Sequence, residues 1–320
     1  HVKDEFTKAG LKKSRYDDAL FLYYVQDKCC GIVVIHVDDF LYGGSTEFNQ
    51  VIKHIRQSFT IGTENILPLK YLGLDLGNSS KGITLTQQGY INNIEEYNIE
   101  NKEDRSRILN LSEQSLFRAM CGQLNWVSSQ SRPDICYEVC YLSTKLNKAT
   151  VDDFNQANKV IRKVKRQSII LTLNKLKKPL RLVAFCDASF ANLKDGASQG
   201  GYIIFLMDQE DKVSPISWAS RKLRRVCRST IAAETMAFLG ASESCYWLSH
   251  IINELMNEPL SKTLIYTDNR SLADAAHSTT SVEEKRLRVD LSAIRESITR
   301  NEFELRWVDT RNQLADTLTK

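Results

Sequence analysis

The chain has 320 residues, of which 42% are hydrophobic and 26% charged, and carries a formal net charge of +4. That length can hold two ordinary domains, each with its own core; no apolar run reaches the roughly 18 residues of a membrane span, and no charged start leads into an apolar core as in a signal peptide. The charge is too mild to argue a polyanionic partner by itself, and eight cysteines without a CxxC pair argue reduced thiols rather than zinc. A soluble, intracellular chain is the expectation. Residues 19–26 and 29–37 are apolar runs rich in β-branched and aromatic types, separated by Asp27-Lys28, and predict a hairpin. Residues 40–43 predict a third short strand, 45–59 a helix with Ser45 as N-cap, and 69–76 with 82–86 a second hairpin.

From residue 112 the spacing turns helical, over 112–129, 133–146 and 151–170, with Pro133 suited to a first helical turn. The stretch from Lys175 to Pro179 interrupts that pattern with basic residues and a proline, and is read as a domain boundary. Beyond it, residues 180–186, 199–206 and 215–219 predict a meander. They are followed by a long amphipathic helix over 230–252, a strand over 263–267, helices over 271–277 and 282–300, a strand over 303–308 and a last helix over 313–320. The order βββαβααβα implies a mixed sheet flanked by helices, and no internal repeat is visible.

Four carboxylates stand at the ends of these elements. Asp187 closes the first strand of the meander, Glu234 lies in the first turns of the long helix, Asp268 follows the next strand and Asp316 lies in the terminal segment. Each alone reads as a turn former, a macrodipole partner or a solvated side chain. Together, on elements of one sheet, they can converge on a single edge. Hard oxygen ligands of this kind suit Mg²⁺, with Mn²⁺ as the alternative, and two such ions can serve an in-line phosphoryl displacement.

The set Asp187, Glu234, Asp268 and Asp316 resembles the four acidic residues of the type 1 ribonuclease H fold. The strings Phe185-Cys186-Asp187-Ala188-Ser189, Arg228-Ser229-Thr230-Ile231-Ala232-Ala233-Glu234 and Leu314-Ala315-Asp316-Thr317-Leu318-Thr319-Lys320 resemble the version found in copia-type LTR retrotransposon Pol polyproteins. The resemblance implies two Mg²⁺ ions on these carboxylates and cleavage of the RNA strand of an RNA–DNA hybrid. One departure is Arg311, which stands near the place of the family's auxiliary histidine. Ser229 and Thr230 are candidates for sensing 2′-hydroxyls, with helix capping as the alternative role. Arg228 closes a basic run that begins at Arg221, and Lys285 with Arg286 opens a second; both are candidates for phosphate contacts, the second equally for a solvated helix face.

In the first half, Ile32 to Tyr42 places Asp38 and Asp39 between two apolar strands, where adjacent aspartates ordinarily cap a turn. The string resembles the reverse transcriptase YVDD box, with His36 in the place of the tyrosine, and this implies a metal role for both aspartates. Lys70-Tyr71-Leu72-Gly73 and Gly122-Gln123-Leu124-Asn125-Trp126 resemble segments that follow the box in that family. The further palm aspartate that a polymerase needs has no counterpart before Ile32, so the chain is expected to begin partway through the palm and to lack polymerase activity of its own.

The combined expectation is an α/β and α+β chain. Residues 1–110 would form an incomplete reverse transcriptase palm, 111–178 a helical thumb or connection segment, and 179–320 a ribonuclease H domain with a mixed five-stranded sheet. Its partners would be RNA–DNA hybrid, template-primer nucleic acid and the remainder of the Pol polyprotein, with no membrane. Its place would be the cytoplasm, inside a virus-like particle in an active element. The alternatives are a non-catalytic nucleic-acid-binding remnant and a different nuclease of the same superfold. The fourth carboxylate and the lack of an integrase-like zinc segment weigh against the second.

Overall fold

The computed structural model describes residues 2–60, 62–100, 103–193, 195–279 and 282–320. The chain divides into two compact units, one made of His1–Ile66 with Ser244–Ser261, the other of Leu67–Glu243 with Lys262–Lys320.

In the first unit, helix α1 (Val2–Lys8) precedes a meander of β1 (Lys12–Lys13), β2 (Leu20–Val25), β3 (Lys28–His36) and β4 (Asp39–Gly44), paired in that order. Helix α2 (Thr46–Gln57) follows, capped by Ser45, whose hydroxyl accepts the Phe48 amide. Phe6, Phe21, Val33, Phe48, Ile52 and Ile55 form the core. Gly31 and Gly44 lie opposite each other on β3 and β4, and a Cβ on Gly31 would come within 2.1 Å of the Phe48 ring. The missing side chains make the notch that lets α2 lie down on the sheet. Glu254, from the segment 244–261, completes this unit by accepting the Ser14 hydroxyl and the Arg15 amide.

The second unit opens with β5 (Leu69–Tyr71), β6 (Leu74–Asn78), β7 (Gly82–Thr86) and the short α3 (Gln88–Asn92). Helices α4 (Leu111–Gln130), α5 (Cys136–Ser143) and α6 (Val151–Arg166) come next, and α4 and α6 each begin with a capping box. Phe117, Met120, Leu124, Ile135, Phe154 and Ile161 are among their fully buried core residues. The spacing predicts α6 running to residue 170; instead the helix ends at Arg166, and β8 (Leu171–Asn174) joins β7 as the fourth strand of that sheet. The cause lies in Arg132. Its guanidinium is fully buried, pairs with Asp134 through two 2.8 Å contacts, and donates to the carbonyls of Val164 (3.2 Å) and Gln167 (2.8 Å). Those are carbonyls at the end of α6 that would otherwise be left unpaired.

The remaining elements are β9 (Arg181–Ser189), β10 (Gln199–Met207), β11 (Val213–Lys222), the long α7 (Thr230–Met256), β12 (Ser261–Thr267), α8 (Arg270–His277), α9 (Lys285–Thr299) and β13 (Phe303–Trp307). They build a five-stranded sheet in the order β11-β10-β9-β12-β13, antiparallel from β9 to β11 and parallel between β12 and β13. The mixed sheet expected from the sequence is therefore present. The last helix is not: residues 310–312 and 316–318 form two short 3-10 turns. Leu318 and Ala315 from the second turn pack with Cys136 of α5 against Phe185, Ile203 and Trp218 on the sheet, and Trp218 donates its indole N–H to the Ser128 carbonyl at 2.8 Å. Ala315 and Leu318 thus meet the sheet through a compact turn, while Leu314 is half exposed.

All eight cysteines are free thiols, four of them buried. Burial pushes the thiols of Cys121, Cys136 and Cys245 up to about 12, so they stay protonated and behave as small apolar side chains. Among the described residues, no helix is long and apolar enough to cross a membrane.

Candidate active site

β9 runs three residues further than its apolar pattern suggests, so Asp187 sits inside the strand, paired with Gly201 of β10. The alternation of the strand turns Asp187 toward the face where α7 begins. Ala232 and Ala233, both buried in the first turn of that helix, let it approach closely enough to bring in Glu234. Asp268 follows β12, the neighbour of β9 in the sheet. Carboxylate oxygens of Asp187, Glu234 and Asp268 all lie within 4.8 Å of one another; Asp187 and Glu234 are buried and Asp268 is half-buried.

Burial raises the pKa of Asp187, and a hydrogen bond from Thr319 partly offsets the rise. Glu234 is pushed up to about 9, chiefly by burial and then by the charges of Asp187 and Asp268. The nearby Ala188 amide holds the rise back a little, whereas Oε2 is buried with no hydrogen-bond partner. A buried carboxylate oxygen without a donor, facing two further carboxylates, is costly in a protein with no cation there. The donor set is all oxygen and formally trianionic, which fits a hard divalent ion such as Mg²⁺ or Mn²⁺.

Asp316 is not within that group of three. It lies on the terminal turn, its Oδ1 paired with the Lys320 ammonium, and its charge is felt at Asp187. The turn is held in place by several contacts that the sequence did not disclose. The buried Thr319 hydroxyl donates to Asp187 Oδ2, Gln313 donates to the Cys186 carbonyl at 2.9 Å, and Ser220 to the Leu318 carbonyl at 2.5 Å. Gly201 makes this possible, because a Cβ there would stand 2.6 Å from Leu318 Cβ and 3.2 Å from Thr319 Cγ2. Asp268 is steadied likewise: Thr310 donates to its Oδ2 at 2.8 Å and the Trp307 indole to its carbonyl at 2.9 Å. Arg311 is largely exposed and turned to Asp309.

Ser229 caps α7, its hydroxyl accepting the Ala232 amide at 3.3 Å, and Thr230 is exposed at the first position of the helix. Arg228, Lys285 and Arg286 are exposed. The Arg225–Asp290 ion pair ties the loop carrying Arg228 to the first turns of α9, which carries Lys285 and Arg286, so the two basic runs are neighbours. In the first unit, Asp38 and Asp39 are exposed at the β3–β4 hairpin tip, with Val37 at φ 54° and Asp39 opposite His36. Among the described residues they join no group of three close metal-type ligands.

A mixed sheet in this strand order, with carboxylates on its central strand, after the adjacent strand and on the first long helix, defines a ribonuclease H-like fold. Along nearly its full length, the chain is similar to Pol polyproteins of copia-type retrotransposons. It is 27% identical over 328 residues to the retrovirus-related Pol polyprotein from transposon RE1 of Arabidopsis thaliana, covering 97% of this chain and 22% of that protein. To the Ty1-DR6 Gag-Pol polyprotein of Saccharomyces cerevisiae it is 27% identical over 280 residues, covering 84% of this chain and 15% of that one. The chain therefore spans about a fifth or less of the length of these relatives. No protein-family model matches it. Among solved structures, the foamy viral protease-reverse transcriptase in complex with RNA/DNA hybrid aligns over 89% of this chain and 36% of its own, with 13% identity and a TM-score of 0.49. Ribonuclease H1 from Halobacterium salinarum aligns over 43% of this chain and 94% of its own, with 17% identity and a TM-score of 0.33.

Proposed function

We propose that Asp187, Glu234, Asp268 and Asp316 form the active site of a ribonuclease H that hydrolyses the RNA strand of RNA–DNA hybrids with two Mg²⁺ ions, Mn²⁺ being able to replace them. The observation that carries this reading is the Glu234 carboxylate, one oxygen of which lies within 4.8 Å of oxygens of Asp187 and Asp268, and whose Oε2 is buried without a hydrogen-bond partner. When bound, such ions supply an activated water and stabilise the leaving oxygen. The protein's share is positioning. Asp187 on a central strand and Glu234 on a packed helix are rigidly held; Thr319 and Thr310 each occupy one oxygen of their carboxylate, orienting the other. Asp316 completes the set from the terminal turn. Thr230 and Ser229, at the start of α7, would meet the 2′-hydroxyls of the RNA strand, while Arg228, Lys285 and Arg286 would meet phosphates.

In this reading, residues 1–110 are part of a palm whose Asp38 and Asp39 hold divalent ions only within a complete polymerase, 111–178 are its helical thumb or connection, and 179–320 are the nuclease. Template-primer and the rest of a Pol polyprotein are the further partners, in a cytoplasmic virus-like particle. The relatives named Pol polyproteins support this setting.

The test is incubation of labelled RNA–DNA hybrid with the purified chain and Mg²⁺. Wild type is expected to cut the RNA strand, and Asp187→Asn to lose about 10³-fold or more of the rate, in keeping with removal of a metal ligand from a charge-stabilising site. No cleavage by wild type would sink the proposal in favour of a binding remnant, and equal cleavage by both proteins would indict a contaminant. No primer extension is expected; extension abolished by Asp38→Asn would overturn that part.

A further inference from the structure

We infer that Lys320 is a tethered counter-ion of the carboxylate cluster, held on Asp316 when no metal is bound and competing with a divalent cation for the site; this rests on reading the cluster as a divalent-cation site. Three carboxylates within 4.8 Å of one another, with the charge of Asp316 felt at Asp187, repel each other, and a protein without a metal must either protonate them or bring its own cation. Lys320 supplies one. Its ammonium pairs with Asp316 Oδ1, and its charge reaches Asp187 and Asp268 as well.

Two features separate this from an ordinary surface pair four residues apart in sequence. The residue before it, Thr319, is fully buried and hydrogen-bonded to Asp187, so the Lys320 backbone is fixed at the rim of the cluster. The Lys320 side chain itself is 55% exposed, so its ammonium meets solvent as well as Asp316. A lysine stem on an anchored backbone can therefore occupy or vacate the rim without disturbing the turn. An ammonium is a compact monovalent cation with three donors, able to satisfy carboxylate oxygens that a divalent ion would otherwise take. An arriving ion must overcome its charge and displace it, which lowers affinity and leaves the empty site less strained.

Calorimetric titration of the full chain with MgCl₂ and, separately, MnCl₂ reads this without any activity. Lys320→Gln is expected to bind either ion about ten-fold more tightly than wild type at low ionic strength, with the gain shrinking as salt screens the ammonium. Lys320→Arg keeps the charge and is expected to stay within about two-fold of wild type. Affinity unchanged or weakened in Lys320→Gln overturns the inference, as does an equal gain in Lys320→Arg, or no binding in any of the three proteins. Because the side chain is exposed, both variants are expected to keep the wild-type circular dichroism. A chain that shows the Lys320→Gln gain yet leaves hybrid uncut overturns the nuclease reading and leaves this one standing.

Discussion

The molecule carries two sets of neighbouring aspartates, and their surroundings are opposite. Asp38 and Asp39 sit at an exposed hairpin tip, where water solvates each carboxylate and no third ligand is near among the described residues. Asp187 and Glu234 sit in a packed sheet-helix junction beside Asp268, where water is largely excluded and one oxygen has no donor. Adjacent carboxylates on an exposed tip cost the fold little and hold an ion weakly, because no third ligand or packed neighbour fixes their geometry. The same chemistry inside a junction costs the fold stability and is repaid only by a cation. What distinguishes a metal site from a turn is therefore the packing around it rather than the number of acids.

The contrast is sharpest in the pH dependence of the metal-stripped protein. Glu234 titrates at about 9 in the folded chain, against an unperturbed value of 4.5. A raised folded pKa means the native state binds the proton more tightly than the unfolded state. The stabilisation is full below pH 4.5 and is lost progressively as pH rises to about 9. We predict that chelator-treated wild type loses stability across that window by on the order of a few kcal/mol, and that Glu234→Gln removes most of the loss. Asp38→Asn with Asp39→Asn should shift the midpoint negligibly over the same range. Urea unfolding midpoints measured between pH 5 and 9 check both; a slope unchanged by Glu234→Gln would place the buried charge elsewhere.

Much of this difference was legible in the sequence, though not in the carboxylates themselves. The strand ends at Asp187 and Asp268 and the helix start at Glu234 let these carboxylates converge on one edge of a sheet, whereas the hairpin pattern around Asp38 and Asp39 marks a turn. The strands β2, β3, β4, β9 and β10 follow directly from their apolar runs, because pleat and burial impose a period that composition records. Three things were hidden, and each depends on long-range contact. The helix α6 was expected to run to residue 170 and β8 was not expected, since Arg132, 32 residues away from Val164, decides where that helix stops. The terminal helix became a turn because its apolar residues meet the sheet and α5 directly. Thr319 looked like an ordinary threonine, and its bond to Asp187 spans 132 positions. The signal that could have exposed it was the Gly200-Gly201 pair, placed in a strand where side chains are otherwise large.

That glycine offers the next way to break the comparison, now within the cluster's own support. Gly201→Ala puts a methyl against Leu318 Cβ at 2.6 Å, closer than a carbon contact tolerates, and most of the nearby atoms belong to the turn's own backbone or to short side chains. The turn must lift, carrying Thr319 away from Asp187. We predict a stability loss of about 1–3 kcal/mol, as for overpacking in a core, together with weaker Mg²⁺ binding. A Gly31→Ala change in the other unit meets Phe48 more severely, and should destabilise that unit without altering the metal isotherm. If Gly201→Ala left both midpoint and isotherm unchanged, the terminal turn would have no part in holding the cluster.

The smallest effect belongs to the exposed cations. Lys285 and Arg286 stand on the first turn of α9, next to the loop that ends in Arg228, and the Arg225–Asp290 pair keeps the two segments together. Arg225 spends its charge on Asp290, so the residues left to meet phosphates are those facing solvent. A single phosphate contact contributes one released counterion, which makes its signature a change in salt dependence more than in affinity at one condition. We predict that Arg286→Ala lowers the slope of log affinity against log salt for RNA–DNA hybrid by about 1 and weakens binding uniformly across sequences. Lys28→Ala, an exposed cation near the hairpin in the first unit, should leave that slope unchanged. Fluorescence anisotropy at several NaCl concentrations, with Ca²⁺ in place of Mg²⁺ to prevent turnover, measures both slopes. Equal slopes for wild type and Arg286→Ala would assign α9 to solvent and move the hybrid to another face of the sheet.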